Sequence, residues 1–76
     1  MEVKVYSTPT CPYCKMAKQY LSSKGVQFKD INVAANAAAA NEMVKISGQM
    51  GVPVIVIDGQ IIVGFDRTRI DSLIKV

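Results

Sequence analysis

Residues 3–18 read VKVYSTPTCPYCKMAK, and the change of pattern within this stretch decides the fold. Val3-Lys4-Val5-Tyr6 alternates apolar and polar side chains, the period of a half-buried strand. After Ser7-Thr8-Pro9-Thr10 comes Cys11-Pro12. Proline is favoured at the first helical position, where its missing N–H has no helical partner in any case. Cys11 is therefore expected at the N-cap, with the helix starting at Pro12. A strand that turns at once into a helix opens a β-α-β unit.

Working outward, Tyr13, Ala17, Tyr20 and Leu21 recur at helical spacing, and Lys24-Gly25 supplies a basic last turn and a stop. Val26 to Val33 (VQFKDINV) alternates again and predicts a second strand. Two strands joined by a helix should lie parallel, with a right-handed crossover. Asn36 is a good cap for a second helix over AAAANEMVKIS, residues 37–47, ending at Gly48. The four alanines at 37–40 could mark low complexity, but their high helix propensity favours the helix, with Ala40, Met43, Val44 and Ser47 on one face. In PVIVIDGQIIVG, residues 53–64, two β-branched runs flank Asp58-Gly59, a strong hairpin signal. A last helix is expected from about Asp66, burying Ile70, Leu73 and Ile74. The predicted order is β-α-β-α-β-β-α: an α/β fold with a four-stranded mixed sheet flanked by three helices, in one domain over residues 1–76.

Composition narrows the function. The chain has 76 residues, half of them apolar, so a core is expected and disorder is not. Nine basic and six acidic residues leave a net charge of +3, too weak and scattered to suggest nucleic acid binding. No apolar run approaches the ~18 residues of a membrane span. The N-terminus alternates from the start and offers no apolar signal segment. The expected compartment is the cytoplasm, where a structural disulfide would be unusual. Histidine is absent, which removes imidazole bases and Cys-His pairs. The two cysteines cannot complete a four-ligand zinc site within one chain.

Cys11 and Cys14 are the only cysteines, separated by Pro12 and Tyr13. A sulfur at the N-cap meets unpaired N–H groups and the positive end of the helix dipole. The Cys11 pKa is therefore expected to fall from ~8.5 towards or below neutrality, giving a nucleophilic thiolate. Lys15 and Lys18 either add positive field or simply point to solvent. Cys14, one turn on, should be more enclosed, and it can reach the Cys11 sulfur as a resolving thiol. Their disulfide would close a very small loop, which stabilises a fold little and suits a bond that is made and broken. Two buried small residues, or half of a metal site shared between chains, are the alternatives. C-x-x-C beside a β-α-β pattern favours redox chemistry.

The CPYC segment resembles the active-site motif of the dithiol glutaredoxins, in the thioredoxin-fold superfamily. The resemblance extends through LSSKGVQF (21–28), EMVKISGQMGVP (42–53) and VIVIDGQIIVGFD (54–66). It implies a thiol–disulfide oxidoreductase with Cys11 as nucleophile and Cys14 as resolving thiol, acting on protein disulfides and glutathione mixed disulfides. It implies no tightly bound cofactor, glutathione as co-substrate, and a monomer. Val52-Pro53 corresponds to the family's cis-proline loop, which pairs with an extended thiol substrate; an ordinary trans proline opening a strand is the alternative. Gly64-Phe65-Asp66 corresponds to the segment that holds the γ-glutamyl end of glutathione, although Asp66 could equally just cap the last helix. Pro12 and Tyr13 would line the substrate wall, or Tyr13 could be a core aromatic.

The pattern also departs from the family. Thr8 stands where a lysine often pairs with the glycyl carboxylate of glutathione. Val63-Gly64 replaces Gly-Gly, and Phe65-Asp66-Arg67 replaces Ser-Asp or Asp-Asp. Gly-Phe also occurs in glutaredoxin-like reductants that take electrons from thioredoxin reductase. Arg67 or Arg69 either replaces the lost charge or lies on a solvated face. A module that shares an iron–sulfur cluster between chains is the reading from another class.

Overall fold

In a computed structural model, which describes residues 2–74, β1 (Val3–Ser7) leads into α1 (Pro12–Ser23), then β2 (Lys29–Asn32) and α2 (Ala37–Ser47). The chain ends with β3 (Val54–Ile57), β4 (Gln60–Val63) and α3 (Arg67–Ile74). The sheet order is β2-β1-β3-β4. β1 runs parallel to β2 and antiparallel to β3, and β3 pairs antiparallel with β4. This is the expected thioredoxin-like arrangement.

Strand alternation divides the core in two. Val3, Val5, Ile55, Ile57 and Ile62 face Ala17 and Leu21 of α1 and Ile70 and Ile74 of α3. Tyr6 and Val54 face Ala39 and Met43 of α2 on the other side. Each fully buried aliphatic, such as Val5, Leu21, Ile55 or Ile70, contributes about 1.5–3 kcal/mol of apolar burial. At the Asp58-Gly59 turn φ is positive at both residues, 46° and 85°. That is the backbone a two-residue hairpin with right-handed strand twist requires.

Two expectations need correction. β2 begins at Lys29, not Val26. Gly25 adopts φ 72°, its N–H donates to Ser22 O at 3.0 Å, and the Val26 N–H donates to Leu21 O at 3.0 Å. This pair of bonds closes the C-terminus of α1 as a Schellman motif. Val26 thus spends its donor on the helix end and its side chain on the core, and pairing starts only after Phe28. On α2 the buried residues are Ala39 and Met43, with Ile46 packed against them; Ala40 is only half-buried. In a run of alanines the side chains do not say which neighbour faces the sheet.

The topology also places the cysteines. Tyr6 pairs with Val54, and Val54 with Val63. The C-terminal ends of β1 and β4 and the start of β3 therefore share one end of the sheet. The Cys11 loop and the Val52-Pro53 loop both emerge there.

Candidate active site

Cys11 is the N-cap of α1, with extended backbone (φ −89°, ψ 113°) and Pro12 inside the first turn. Its N–H donates to Thr8 O at 3.4 Å. Its Sγ accepts the Cys14 N–H at 3.2 Å, the contact an Asp or Ser oxygen makes at an ordinary helix start. The sulfur is partly exposed and also lies 3.8 Å from the Val52 carbonyl oxygen, to which the thiol donates. Cys14 is fully buried, at 0% exposure. Burial first, then the hydrogen bond to Cys11, pushes its thiol up to about 11. Neither cysteine is in a disulfide. The two sulfurs therefore differ as the helix geometry implies: one accessible and met by a backbone donor, the other enclosed and held protonated.

The Val52–Pro53 peptide bond is cis, as the resemblance implies. Pro53 O accepts the Gly64 N–H at 2.8 Å, which ties the end of β4 to this loop. Cys11, Cys14, Val52, Pro53 and Gly64 are thus brought together. Tyr13, at 63% exposure, is not a core aromatic; it stands in solvent on the turn that carries both cysteines, beside the exposed Pro12. Asp66 caps α3, its Oδ1 accepting the Arg69 N–H at 3.2 Å.

Phe65 turns away onto α1, meeting Tyr20 edge-on with ring centroids 5.9 Å apart. The Arg67 guanidinium lies 4.9 Å from the centre of the Tyr20 ring, Lys24 lies 5.5 Å from it, and the Tyr20 hydroxyl donates to Asp71. Arg67 is therefore engaged with an aromatic face while remaining exposed on α3.

Lys18 adds positive field at the cysteine pair, one of the options considered for it, its charge drawing the Cys14 pKa down against burial. Its Nζ lies 3.0 Å from Asp30 Oδ2, while the buried Ser7 hydroxyl donates to Asp30 Oδ1 at 2.8 Å. Burial works against the Asp30 carboxylate, but the bonds from Ser7 and Lys18 and the lysine charge outweigh it. Its carboxyl is held below its ordinary value of 3.8. A second unanticipated feature is Gln49. Its side-chain amide donates to Gly51 O at 2.9 Å and its Oε1 accepts the Gly51 N–H at 2.7 Å. The Gln49 N–H in turn donates to Ser47 Oγ at 3.4 Å, so the loop before the cis-proline is braced from within. The residues of the Lys18 network are separated by 12 and 23 positions, beyond any local pattern. The Gln49 clamp spans two positions but depends on loop dihedrals that composition does not encode.

Among the described residues no group of three or more His, Cys, Asp or Glu is placed to hold a metal ion, and no helix is long and apolar enough to cross a membrane.

Comparison with known proteins gives a consistent result. The Glutaredoxin family model matches residues 3–62. A glutaredoxin-like 8.6 kDa protein from the rubredoxin operon of Clostridium pasteurianum is 56% identical, over 96% of this chain and 97% of its own. Glutaredoxin 3 of Escherichia coli is 46% identical, over 96% of each chain. The structure of the glutaredoxin-like NrdH-redoxin of Escherichia coli superimposes with a TM-score of 0.87 at 26% identity, over 96% of this chain and 95% of the other.

Proposed function

The chain belongs to the glutaredoxin family and is a thiol–disulfide oxidoreductase, and from that premise we propose that Cys11 attacks and Cys14 resolves in the reduction of protein disulfides and glutathione mixed disulfides. The observation that carries the assignment is the asymmetry of the pair. The Cys11 sulfur is accessible and accepts the Cys14 N–H at 3.2 Å, whereas the enclosed Cys14 thiol is pushed up to about 11.

The Cys11 thiolate attacks one sulfur of the substrate disulfide. A Cys11–substrate disulfide forms and the other substrate sulfur leaves as thiolate, taking up a proton. Cys14 then loses its proton and attacks the Cys11 sulfur. The Cys11–Cys14 disulfide forms, the second substrate thiol is released, and two electrons have passed to the substrate. The high pKa of Cys14 suits this order, because a protonated resolving thiol does not compete for the incoming disulfide. Val52 supports the extended binding mode. Its carbonyl stands at the reactive sulfur, and its N–H has no protein acceptor among the described residues. A strand carrying the target sulfur could pair with that N–H. Pro12 and Tyr13 border the same opening.

The test replaces each cysteine with serine. Cys11→Ser should lose all activity. Cys14→Ser should retain cleavage of glutathione mixed disulfides, with external glutathione completing the cycle, and lose reduction of dithiol protein targets. Activity surviving in Cys11→Ser overturns the assignment.

Glutathione is the proposed co-substrate, its γ-glutamyl end at Gly64-Phe65-Asp66, in a monomer working in the reducing cytoplasm without a bound cofactor. A second reading has support of its own: a glutathione-independent donor reduced by thioredoxin reductase. Thr8 offers no charge for a glycyl carboxylate, Arg67 is held on Tyr20, and the superimposable NrdH-redoxin is described as having a thioredoxin-like activity profile. An NADPH-coupled assay with each regenerating system decides between them. Turnover sustained by glutathione and glutathione reductase alone supports the first reading, and turnover requiring thioredoxin reductase supports the second.

A further inference from the structure

Ser7 is the one polar side chain buried among the described residues, at 2% exposure. It closes β1 on the face that Val3 and Val5 turn toward α1. Burying a hydroxyl is costly unless its hydrogen bonds are made. Here it donates to Asp30 Oδ1 at 2.8 Å and accepts from the Lys18 ammonium at 3.5 Å. Lys18 closes the triangle, 3.0 Å from Asp30 Oδ2. Asp30 shares this face because the parallel register sets it beside Val5. Three elements, β1, β2 and α1, thus hold one ammonium in a fixed place.

That place gives the cluster its use. Cys14 and Lys18 are four residues apart on α1, so their side chains share one face of the helix. Helical side chains lean toward the N-terminus, which carries Lys18 toward the turn of Cys14. Cys14 is fully buried, and burial penalises the thiolate it must become in order to attack. The Lys18 charge and the Thr8 backbone favour that thiolate, while Cys11 opposes it. The β3 and α3 side chains packed in this layer, Ile55, Ile57, Ile70 and Ile74, carry no charge. Tyr6 belongs to the opposite layer, and Lys15 is exposed.

We propose that Lys18, held in place by Asp30 and Ser7, assists the resolving step: its ammonium stabilises the negative charge that gathers on the Cys14 sulfur during attack on the Cys11–substrate disulfide. Cys14 gives its proton to solvent, and its sulfur bonds to that of Cys11. The Cys11–substrate bond breaks, and the electron pair leaves on the substrate sulfur, which takes up a proton. The lysine keeps its own proton throughout. Asp30 and Ser7 act only through Lys18 and are positioning residues. The earlier attack by Cys11 does not call on the cluster. This inference rests on Cys14 being the resolving thiol.

The experiment mixes pre-reduced protein with an excess of the aromatic disulfide dithiobis(nitrobenzoate) and follows absorbance by stopped flow. One equivalent of nitrothiobenzoate leaves as Cys11 is captured, at a rate proportional to reagent. The second leaves as Cys14 resolves, at a rate independent of reagent. Lys18→Met, which keeps the apolar stem, should slow the second phase roughly three- to tenfold at neutral pH and change the first less than twofold. Lys18→Arg should restore most of the second phase. Asp30→Asn should slow the second phase on its own and add nothing in the Lys18→Met background. Lys15→Met, which removes the same charge from the exposed neighbour of Cys14, should change neither phase. An unchanged second phase in Lys18→Met, equal loss in both phases, no rescue by arginine, or an equal loss in Lys15→Met overturns the role of Lys18. Asp30→Asn without effect, or with an effect that adds to that of Lys18→Met, overturns the positioning role. A wild type whose second phase is missing or rises with reagent overturns the parent reading of Cys14, and this inference with it, while exchange at Cys11 stands.

Discussion

At Cys14, burial and reactivity are one observation. Its thiol, pushed up to about 11 by burial and then by its bond with Cys11, remains protonated where an unfolded-chain cysteine, with an ordinary value near 9.0, has ionised. Between those values the folded state binds more protons than the unfolded state, so stability falls as pH rises. Urea titrations of the reduced protein should show loss of stability from about pH 9 to about pH 11, and Cys14→Ala should reduce that slope, leaving the part above about pH 10 that comes from Tyr6, whose hydroxyl is also pushed up by burial. Iodoacetamide at neutral pH should alkylate Cys11 alone, with Cys14 reacting only after unfolding; mass spectrometry of tryptic peptides reads this directly. Asp30 works in the opposite direction. Its carboxyl lies below 3.8 in the folded state, so its contribution is present above about pH 4 and lost as pH falls further. Asp30→Asn should cost about 1 kcal/mol at pH 7, a modest value because the carboxylate is half-exposed and screened. The mutant and wild-type stabilities should converge by about pH 2. The place of Cys11 was legible in the sequence because a Cys-Pro pair after a strand states a helix start locally. The partner of Lys18 was not, because Asp30 becomes its neighbour only after β2 pairs with β1.

Among the elements, the legible ones carry their own punctuation. Asn36 accepts the Ala39 N–H at 3.0 Å and Gly48 closes α2 in the left-handed region, so both ends of that helix were readable from residue type. Asn36→Ala should cost about 1 kcal/mol, seen as a shift of the urea midpoint with unchanged slope. Asp66 is the corresponding cap on α3. The start of β2 was misread because alternation across 26–33 describes side chains only. The Val26 N–H belongs to the preceding helix, and a donor already engaged there cannot join a ladder. On α2, Met43 was read correctly as buried, whereas Ala39 rather than Ala40 faces the sheet, because alanines carry almost no periodic signal. Tyr20, read at helical spacing with Ala17 and Leu21, packs half-buried against their core layer and also forms the junction of α1 with α3, touched by Phe65, Arg67 and Lys24. Of the candidate site, the cysteines and the cis-proline were visible as motifs, whereas the Gln49 clamp on Gly51 depends on loop geometry.

For the whole molecule, size is the governing constraint. A chain of 76 residues has a total stability of about 4–11 kcal/mol, and its core is one sheet with two thin apolar layers. Ile55 is fully buried in the layer beneath α1 and α3. Ile55→Ala should remove about 2–5 kcal/mol, enough to leave a large unfolded fraction at physiological temperature, as circular dichroism during thermal melting would show. In a fold this small the Cys11 sulfur and the cis-proline loop share one end of the sheet. The Gln49 clamp has a consequence for how long a partner stays. Of the three residues at the mouth of the site, Gly51 has both backbone groups occupied by the clamp and Pro53 has no N–H to give. Val52 alone can donate to an incoming strand. A partner held by one peptide unit has no ladder to unzip once its sulfur is released, so departure need not wait on the backbone.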